Sequence, residues 1–421
     1  MNIKQIVKNI FPQKDFNIIK RITYKPRYAI KKMQARKYFC TLNKHKSQIE
    51  SIKVGFLVQV PEIWDKQAPV FEAMTKDSRF EPYLIIIPSS EFGSFKISGY
   101  GKELKYFEGL YDTKYIIKAY ADNKWLDLKQ LNLSYVFYPR CWEIYIPEQY
   151  HTNEMIKHIK TCYIPYAVAG LNDGYYYYRS SFFTYLYMSF CTTKAQESFY
   201  PEIKNRIVSY LGAPALEIFS NKLDNYDKKH TFYNVLWTPR WTTDKTFGGS
   251  TFLAYMNKIL LLPKKYSAIN LTLRPHPLAF EKALQDGILS SNDIEKYKLT
   301  VVETGAKFDE NKLVEDTLLS TDILITDYSS IIIEYFLTGK PIIYCGDINV
   351  DFEEIYCKMV KTFYVATSWE DVERYVDDLI CGIDVKAEER KAIASSLVEE
   401  SRGATNRILQ CIYDDNNSTA K

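Results

Sequence analysis

The stretch TDILITDYSSIIIEYFLTGKPIIYC, residues 321–345, decides the fold. Ile323 to Thr326 is an unbroken apolar run of strand length, as expected of a parallel strand buried on both faces. Asp327-Tyr328-Ser329-Ser330 ends it, and an apolar stretch of helical length runs on to Gly339. Lys340-Pro341 then leads into a second apolar run, Ile342 to Cys345. The pattern predicts a strand–helix–strand unit with two hydroxyls and a carboxylate at its first turn. In open α/β sheets such turns lie at the carboxyl edge, where ligands bind. A helix start offers free N–H groups that suit phosphate. Asp327, Ser329 and Ser330 are therefore candidate ligand residues. Glu334 follows one turn deeper on the same side, placed to accept hydrogen bonds from sugar or polyol hydroxyls. Simple capping of the helix by the serines explains the same pattern equally well.

The order DILITDYSS, then an acidic residue four positions on, then GKPIIY, resembles the nucleotide-binding segment of the CDP-glycerol glycerophosphotransferase family. That family includes the teichoic acid primases and polymerases of bacterial cell walls. The resemblance implies a GT-B architecture: two Rossmann-like domains facing a central cleft, nucleotide on the C-terminal half and acceptor on the N-terminal half. It also implies a CDP-alcohol donor.

Upstream, Arg274-Pro275-His276-Pro277 directly follows a strand-like run, Ile269 to Leu273. The flanking prolines restrict the backbone and hold the imidazole at the sheet edge. Arg274 is a permanent forked cation suited to phosphate, and His276 can donate a hydrogen bond or shuttle a proton. The resemblance assigns activity to the matching R-x-H-P histidine, so Arg274 and His276 are the catalytic candidates. Trp237-Thr238-Pro239-Arg240-Trp241 stands where the family reads A-P-T-W-R. The register of its arginine differs, which leaves Thr238 and Arg240 as donor-side candidates or ordinary loop. Arg402-Gly403-Ala404-Thr405 with Arg407 resembles the family's D-G-x-A/S-x-x-R turn, with Arg402 in the place of Asp. It makes Arg407 a donor-side candidate beside a plain helix break.

The first half departs from the family. The polymerases carry W-H-G-x-P, whose histidine is the favoured base for the acceptor hydroxyl. Here the stretch reads Thr161-Cys162-Tyr163-Ile164-Pro165, so Cys162 takes the histidine position, with Tyr163 beside it on the acceptor side. His158 nearby reads as a surface histidine.

The 421 residues suffice for two domains, with a 46% hydrophobic share to fill their cores. Tyr is abundant at 35, clustered at residues 175–178. Eight cysteines form no C-x-x-C pair, which argues against a zinc ribbon or a disulfide framework and for reduced thiols. No run approaches the roughly 18 apolar residues of a membrane span, and no secretory leader opens the chain. A cytoplasmic location is expected.

Charge is uneven. Residues 1–48 hold 13 Lys or Arg and one acid, Asp15, for +12; the remainder holds 42 and 50, for −8. Ile3, Ile6, Val7 and Ile10 follow helical spacing, and Pro12 and Pro26 divide the arm into short pieces. Such segments suit an anionic bilayer surface, where each base adds about 1 kcal/mol. A nucleic acid partner lacks a matching fold. Packing of the arm on the acidic body is the remaining reading.

The body from Ile52 predicts strands at Ile52 to Val60, Tyr83 to Ile87, Ser134 to Tyr138, Thr161 to Ile164, Phe232 to Trp237, Ile269 to Leu273 and Leu299 to Val302. Residues 182–209 and 386–412 read as helical, as does a stretch from about Ser250 to Leu262. The polar residues 221–230 read as a linker. The expected layout is a basic extension (1–50), an acceptor domain (51–222), a nucleotide domain (223–395) and a C-terminal helix and tail (396–421). The expected reaction is transfer of a polyol phosphate from a CDP-alcohol to a surface-glycan or lipid-linked acceptor. No metal is evident, and oligomeric state is open. A sugar-nucleotide glycosyltransferase for capsule or surface polysaccharide on the same frame, or an inactive nucleotide-binding scaffold, are the competing readings.

Overall fold

The apolar runs sort into two parallel sheets in the computed structural model, which describes residues 13–43, 51–89, 97, 99–166, 177–226, 232–242, 249–309, 311, 314–349 and 352–418, with side chains from residue 26 onward. The first compact unit comprises residues 1–166, 173–211 and 406–421; the second comprises 167–172 and 212–405. The helical spacing expected of residues 3–10, the first two tyrosines of the 175–178 cluster, and the end of the 221–230 stretch lie outside the described residues.

Unit 1 opens with helix α1 (Gln13–Leu42). The arm was expected in short pieces, yet Pro26 lies inside one continuous helix. Tertiary contacts outweigh the break in helical bonding: Ala35 and Phe39 are fully buried, and Phe39 meets Tyr187 edge-on at 5.4 Å. The Tyr185 hydroxyl donates to Gln34 at 2.6 Å. The opposite face leaves Arg27, Ile30, Met33, Arg36 and Lys37 exposed.

Seven strands of one sheet follow among the described residues: β1 (Ile52–Val58), β2 (Phe80–Ile86), β3 (Ile116–Lys118), β4 (Tyr135–Tyr138), β5 (Lys160–Tyr163), β6 (Met188–Cys191) and β7 (Ile207–Tyr210). Their order across the sheet is β3-β2-β1-β4-β5-β6-β7, all parallel. The expected helix over 182–209 is corrected here. It contains β6 and β7, because a strand buried on both faces shows no alternation by which to distinguish it from a buried helix.

The C-terminal helix Ala404–Asn417 returns to this sheet from Asn406 onward. Its Asp415 carboxylate takes the Lys160 ammonium at 2.7 Å, the Tyr135 hydroxyl at 2.7 Å and the Tyr187 hydroxyl at 2.5 Å. The Tyr187 hydroxyl also lies 2.8 Å from Asn43, just past α1. This network binds both terminal helices to the amino edge of β4 and β5. A buried charge pair needs such a full set of partners.

Unit 2 starts with α2 (Pro214–Asp224), Pro214 standing at its first position, where no N–H is needed. Part of the expected linker, Asn221 to Asp224, is thus helical. The strands are β8 (Tyr233–Thr238), β9 (Ile269–Leu273), β10 (Lys307–Phe308), β11 (Ile323–Thr326), β12 (Ile342–Tyr344) and β13 (Tyr364–Val365). Their order, β10-β9-β8-β11-β12-β13, repeats that of unit 1, again all parallel.

The strand expected at Leu299 to Val302 is instead the end of helix α3 (Ser291–Glu303), begun by a Ser290–Asp293 capping box. Leu299 and Val302 are exposed there. The helix expected from Ser250 to Leu262 is broken into Phe252–Tyr255, Ile259–Leu261 and Leu262–Lys265. The helix after Asp327-Tyr328-Ser329-Ser330 is α4 (Ile331–Phe336), which unwinds in turns ending at Gly339, at a φ of +67. The expected C-terminal helix is two helices, parted at Gly403, whose φ of +72 suits glycine.

Candidate functional site

In a 3-2-1-4-5-6 sheet the strand connections leave in opposite directions on either side of strand 1, and the crevice between strands 1 and 4 takes ligands. In unit 2 these are β8 and β11. β8 delivers Pro239, Arg240 and Trp241 to that edge, and β11 delivers Asp327, Tyr328 and Ser329. His276 arrives from the neighbouring β9, its N–H bonded to the Pro239 carbonyl at 3.2 Å. The sequence motifs converge because the sheet order places their strands side by side.

Asp327 holds the crevice together. It is fully buried, and its Oδ1 accepts from the Arg240 backbone N–H at 2.6 Å. Its Oδ2 accepts from the Thr251 N–H at 2.8 Å and the Thr251 hydroxyl at 3.0 Å. Burial pushes its carboxyl up to about 6, against the pull of those donors and of Arg240. Both of its carboxylate oxygens are engaged by the loops that it positions. Thr238 is engaged likewise. It is 4% exposed, and its hydroxyl pairs with that of Thr326 at 2.9 Å across the β8–β11 seam.

Ser330 occupies the cap position but makes no capping bond with its side chain. Among the described residues neither its hydroxyl nor that of Ser329 has a hydrogen-bond partner, so capping does not explain them. Helix α4 has only six residues, so its dipole adds little; the hydroxyls carry the site's polarity. Glu334 is 7% exposed, within electrostatic range of Tyr356.

The His276 ring sits 6.0 Å from that of Trp241, and the residue is exposed. Its Nδ1 accepts the Leu278 N–H at 3.2 Å, which fixes the Nε2–H tautomer. Loss of hydration and then the Arg240 charge push His276 down to about 4. The ring is therefore neutral near pH 7 and presents Nε2–H. Arg240 lies 5.8 Å over the Tyr328 ring and supplies the cation that His276 does not. Trp241 and Tyr328 were missed as site residues, though each stands inside a motif that was singled out.

Arg274 is placed differently from expectation. Its Nη1 is engaged by Asp309 at 2.6 Å and by the Asn311 carbonyl at 2.8 Å, so it anchors the loop after β10. Arg407 lies in unit 1, where its Nε–H donates to the Leu211 carbonyl at 2.9 Å. The turn at Gly403 is held by Glu217, which accepts from the Gly403 and Thr405 N–H groups at 2.7 and 2.9 Å. Cys162 and Tyr163 are corrected as acceptor-side groups. Cys162 is wholly enclosed in β5, and burial raises its thiol far above the usual range. Tyr163 is 2% exposed against Phe182 and Phe183. Neither can take a proton from a bound hydroxyl. His158 is exposed on the surface.

Two sheets of this order in one chain define the GT-B frame. The family model for CDP-glycerol:poly(glycerophosphate) glycerophosphotransferase matches residues 215–383, within the second unit. The S. aureus MnaA–UDP structure is 16% identical, with a TM-score of 0.56 over 86% of this chain and 96% of that one. The wall teichoic acid polymerase TagF is 12% identical, with a TM-score of 0.56 over 94% and 98%. UDP-GlcNAc 2-epimerase from Neisseria meningitidis, bound to UDP-GlcNAc, is 13% identical, with a TM-score of 0.55 over 86% and 100%. These likenesses establish the fold. No curated protein matches the chain. Among the described residues no helix is long and apolar enough to cross a membrane, and no three His, Cys, Asp or Glu side chains are grouped to hold a metal ion.

Proposed function

We propose that the chain transfers a polyol phosphate, glycerol phosphate before others, from a CDP-alcohol to a hydroxyl of a surface-glycan or lipid-linked acceptor. The observation that carries this reading is the convergence of Arg240, neutral His276 and two unengaged serine hydroxyls at the unit 2 switch point. An acceptor oxygen attacks the β-phosphorus, the bond to the bridging oxygen breaks, and CMP leaves with that oxygen. Such transfer depends on positioning and charge neutralisation more than on covalent chemistry by the protein. Arg240 offsets the charge of the diphosphate. His276 donates its Nε2–H to a phosphate oxygen, and Ser329 and Ser330 donate to the others. Glu334 accepts from a ribose or glycerol hydroxyl. Arg274 acts through the loop that it anchors.

The same reading places the chain on the inner face of the cell membrane. The support is the +12 charge of residues 1–48 and the exposed Arg27, Ile30, Met33, Arg36 and Lys37 on α1, which join bases to apolar side chains. Binding to liposomes that needs anionic lipid and weakens with salt is the expected result.

A thermal-shift panel of CMP, CDP-glycerol, CDP-ribitol, UDP-sugars and GDP-sugars tests the donor. Stabilisation by cytidine nucleotides, with CMP release from CDP-glycerol that falls about a hundredfold in His276→Ala, is expected from loss of a positioned proton donor. Stabilisation by uridine nucleotides alone would overturn the reading.

A further inference from the structure

Unit 1 has a switch point of its own, between β1 and β4, and it holds a cation with no acid beside it among the described residues. β1 delivers Gln59 to the carboxyl edge, and β4 delivers Pro139, Arg140, Cys141 and Trp142. Gln59 is 1% exposed, and its Nε2 donates to the Pro88 carbonyl at 2.8 Å and the Tyr145 carbonyl at 2.9 Å. Its Oε1 is thereby turned to accept from Arg140 Nη2. The guanidinium lies 4.0 Å from the centroid of the Tyr145 ring, and its Nε is buried without a partner. The groups acting on its charge are Tyr145, Tyr166 and Cys141, none of them a carboxylate. Burial pushes Arg140 down to about 10, so it remains a cation at neutral pH.

A largely buried charge is normally paired. Here the pairing partner is missing among the described residues, and the place is the one where this sheet order takes ligands. Beside it, exposed Trp142 lies 5.3 Å from Tyr166, a pair of rings of the kind that receives the apolar face of a sugar.

We propose that Arg140, backed by Gln59 and rimmed by Trp142 and Tyr166, is an anion subsite that receives a phosphate-bearing sugar or polyol. Its assignment to the acceptor rests on the transfer reaction proposed above; the subsite stands without it. Arg140 fixes which acceptors are held, by matching a phosphate next to the reacting unit, and Trp142 adds contact with the ring or chain.

Calorimetric titration with glycerol 3-phosphate, with glycerol as the uncharged control, tests this. The protein variants are wild type, Arg140→Gln, Arg140→Lys and Trp142→Ala, each checked for thermal midpoint and repeated with saturating CMP. Wild type should bind glycerol 3-phosphate in preference to glycerol, with CMP present or absent. Arg140→Gln should bind at least tenfold more weakly, Arg140→Lys should retain part of the affinity, and Trp142→Ala should lose several-fold. Binding that Arg140→Gln leaves unchanged, or that CMP abolishes, overturns the subsite, as does absence of binding by wild type at millimolar probe. Should Arg140→Gln fail to fold, unchanged affinity in both Arg140→Lys and Trp142→Ala overturns it equally. A protein that binds the probe but no cytidine nucleotide would sink the transfer reaction and leave the subsite standing.

Discussion

Asp327→Asn keeps the shape of a fully enclosed side chain and removes its charge. Burial holds this carboxyl at about 6 in the folded protein, above its ordinary value of about 3.9. A group raised in this way contributes stability that is fully present below the unfolded pKa and is lost as pH rises through about 6. The whole window is worth about 3 kcal/mol, of which about 1 kcal/mol falls between pH 5 and pH 7. Asparagine has no such window. Its amide NH₂ must also face either the Arg240 N–H or the Thr251 N–H, each now bonded to a carboxylate oxygen, a mismatch costing about 1–3 kcal/mol. Urea unfolding followed by circular dichroism should therefore show the variant less stable at pH 7. On moving to pH 5 the gap should widen by about 1 kcal/mol. CMP release should also fall, because the Arg240 backbone loses its anchor. A gap that narrows on acidification would refute the reasoning: the three donors would then outweigh burial, and Asp327 would be a stabilised anion.

Ser329→Ala and Ser330→Ala should each leave the thermal midpoint nearly unmoved, within about 0.5 kcal/mol, while weakening CDP-glycerol affinity in calorimetry, because neither hydroxyl is used by the fold. Glu217→Ala should cost about 1–3 kcal/mol in denaturant unfolding by stripping two N–H groups of their acceptor at the Gly403 turn, with Glu217→Gln recovering part of it. Cys162→Ala should lower stability by about 1–2 kcal/mol yet retain turnover; a folded variant with no CMP release would return Cys162 to the acceptor side.

Much of the fold was legible because its strands end abruptly. Pro139 and Pro165 follow strands closely in the first half, and Asp327 and Arg274-Pro275 follow them in the second. Strand order was not legible, since it depends on which runs meet across the chain. Residues 188–191 and 207–210 hid because aromatic strands buried on both faces have no period. Leu299 and Val302 misled in the opposite direction: exposed apolar residues at a helix end imitate a short strand. The sequence named His276, Ser329 and Ser330, and the sheet order brings them to one edge. The roles of Asp327 and Thr238 were not legible, because a polar side chain spent on the backbone looks the same in sequence as one aimed at ligand. Arg140 had a usable signal. Tyr138-Pro139-Arg140-Cys141-Trp142 repeats the strand-Pro-Arg order of Thr238-Pro239-Arg240-Trp241.

The carboxylate that completes unit 1 is made late. Lys160 begins β5, yet Asp415 lies 255 residues further along the chain. During synthesis the whole of unit 2 emerges between them. The second sheet can therefore be finished while the first still waits for its closing helix. A ribosome that stalls beyond residue 405, or a protease that clips the C-terminal helix, leaves an ammonium and two tyrosine hydroxyls without their common partner. Quality control of this protein thus has a built-in checkpoint: only a chain translated through the Ala404–Asn417 helix seals the half that was begun first.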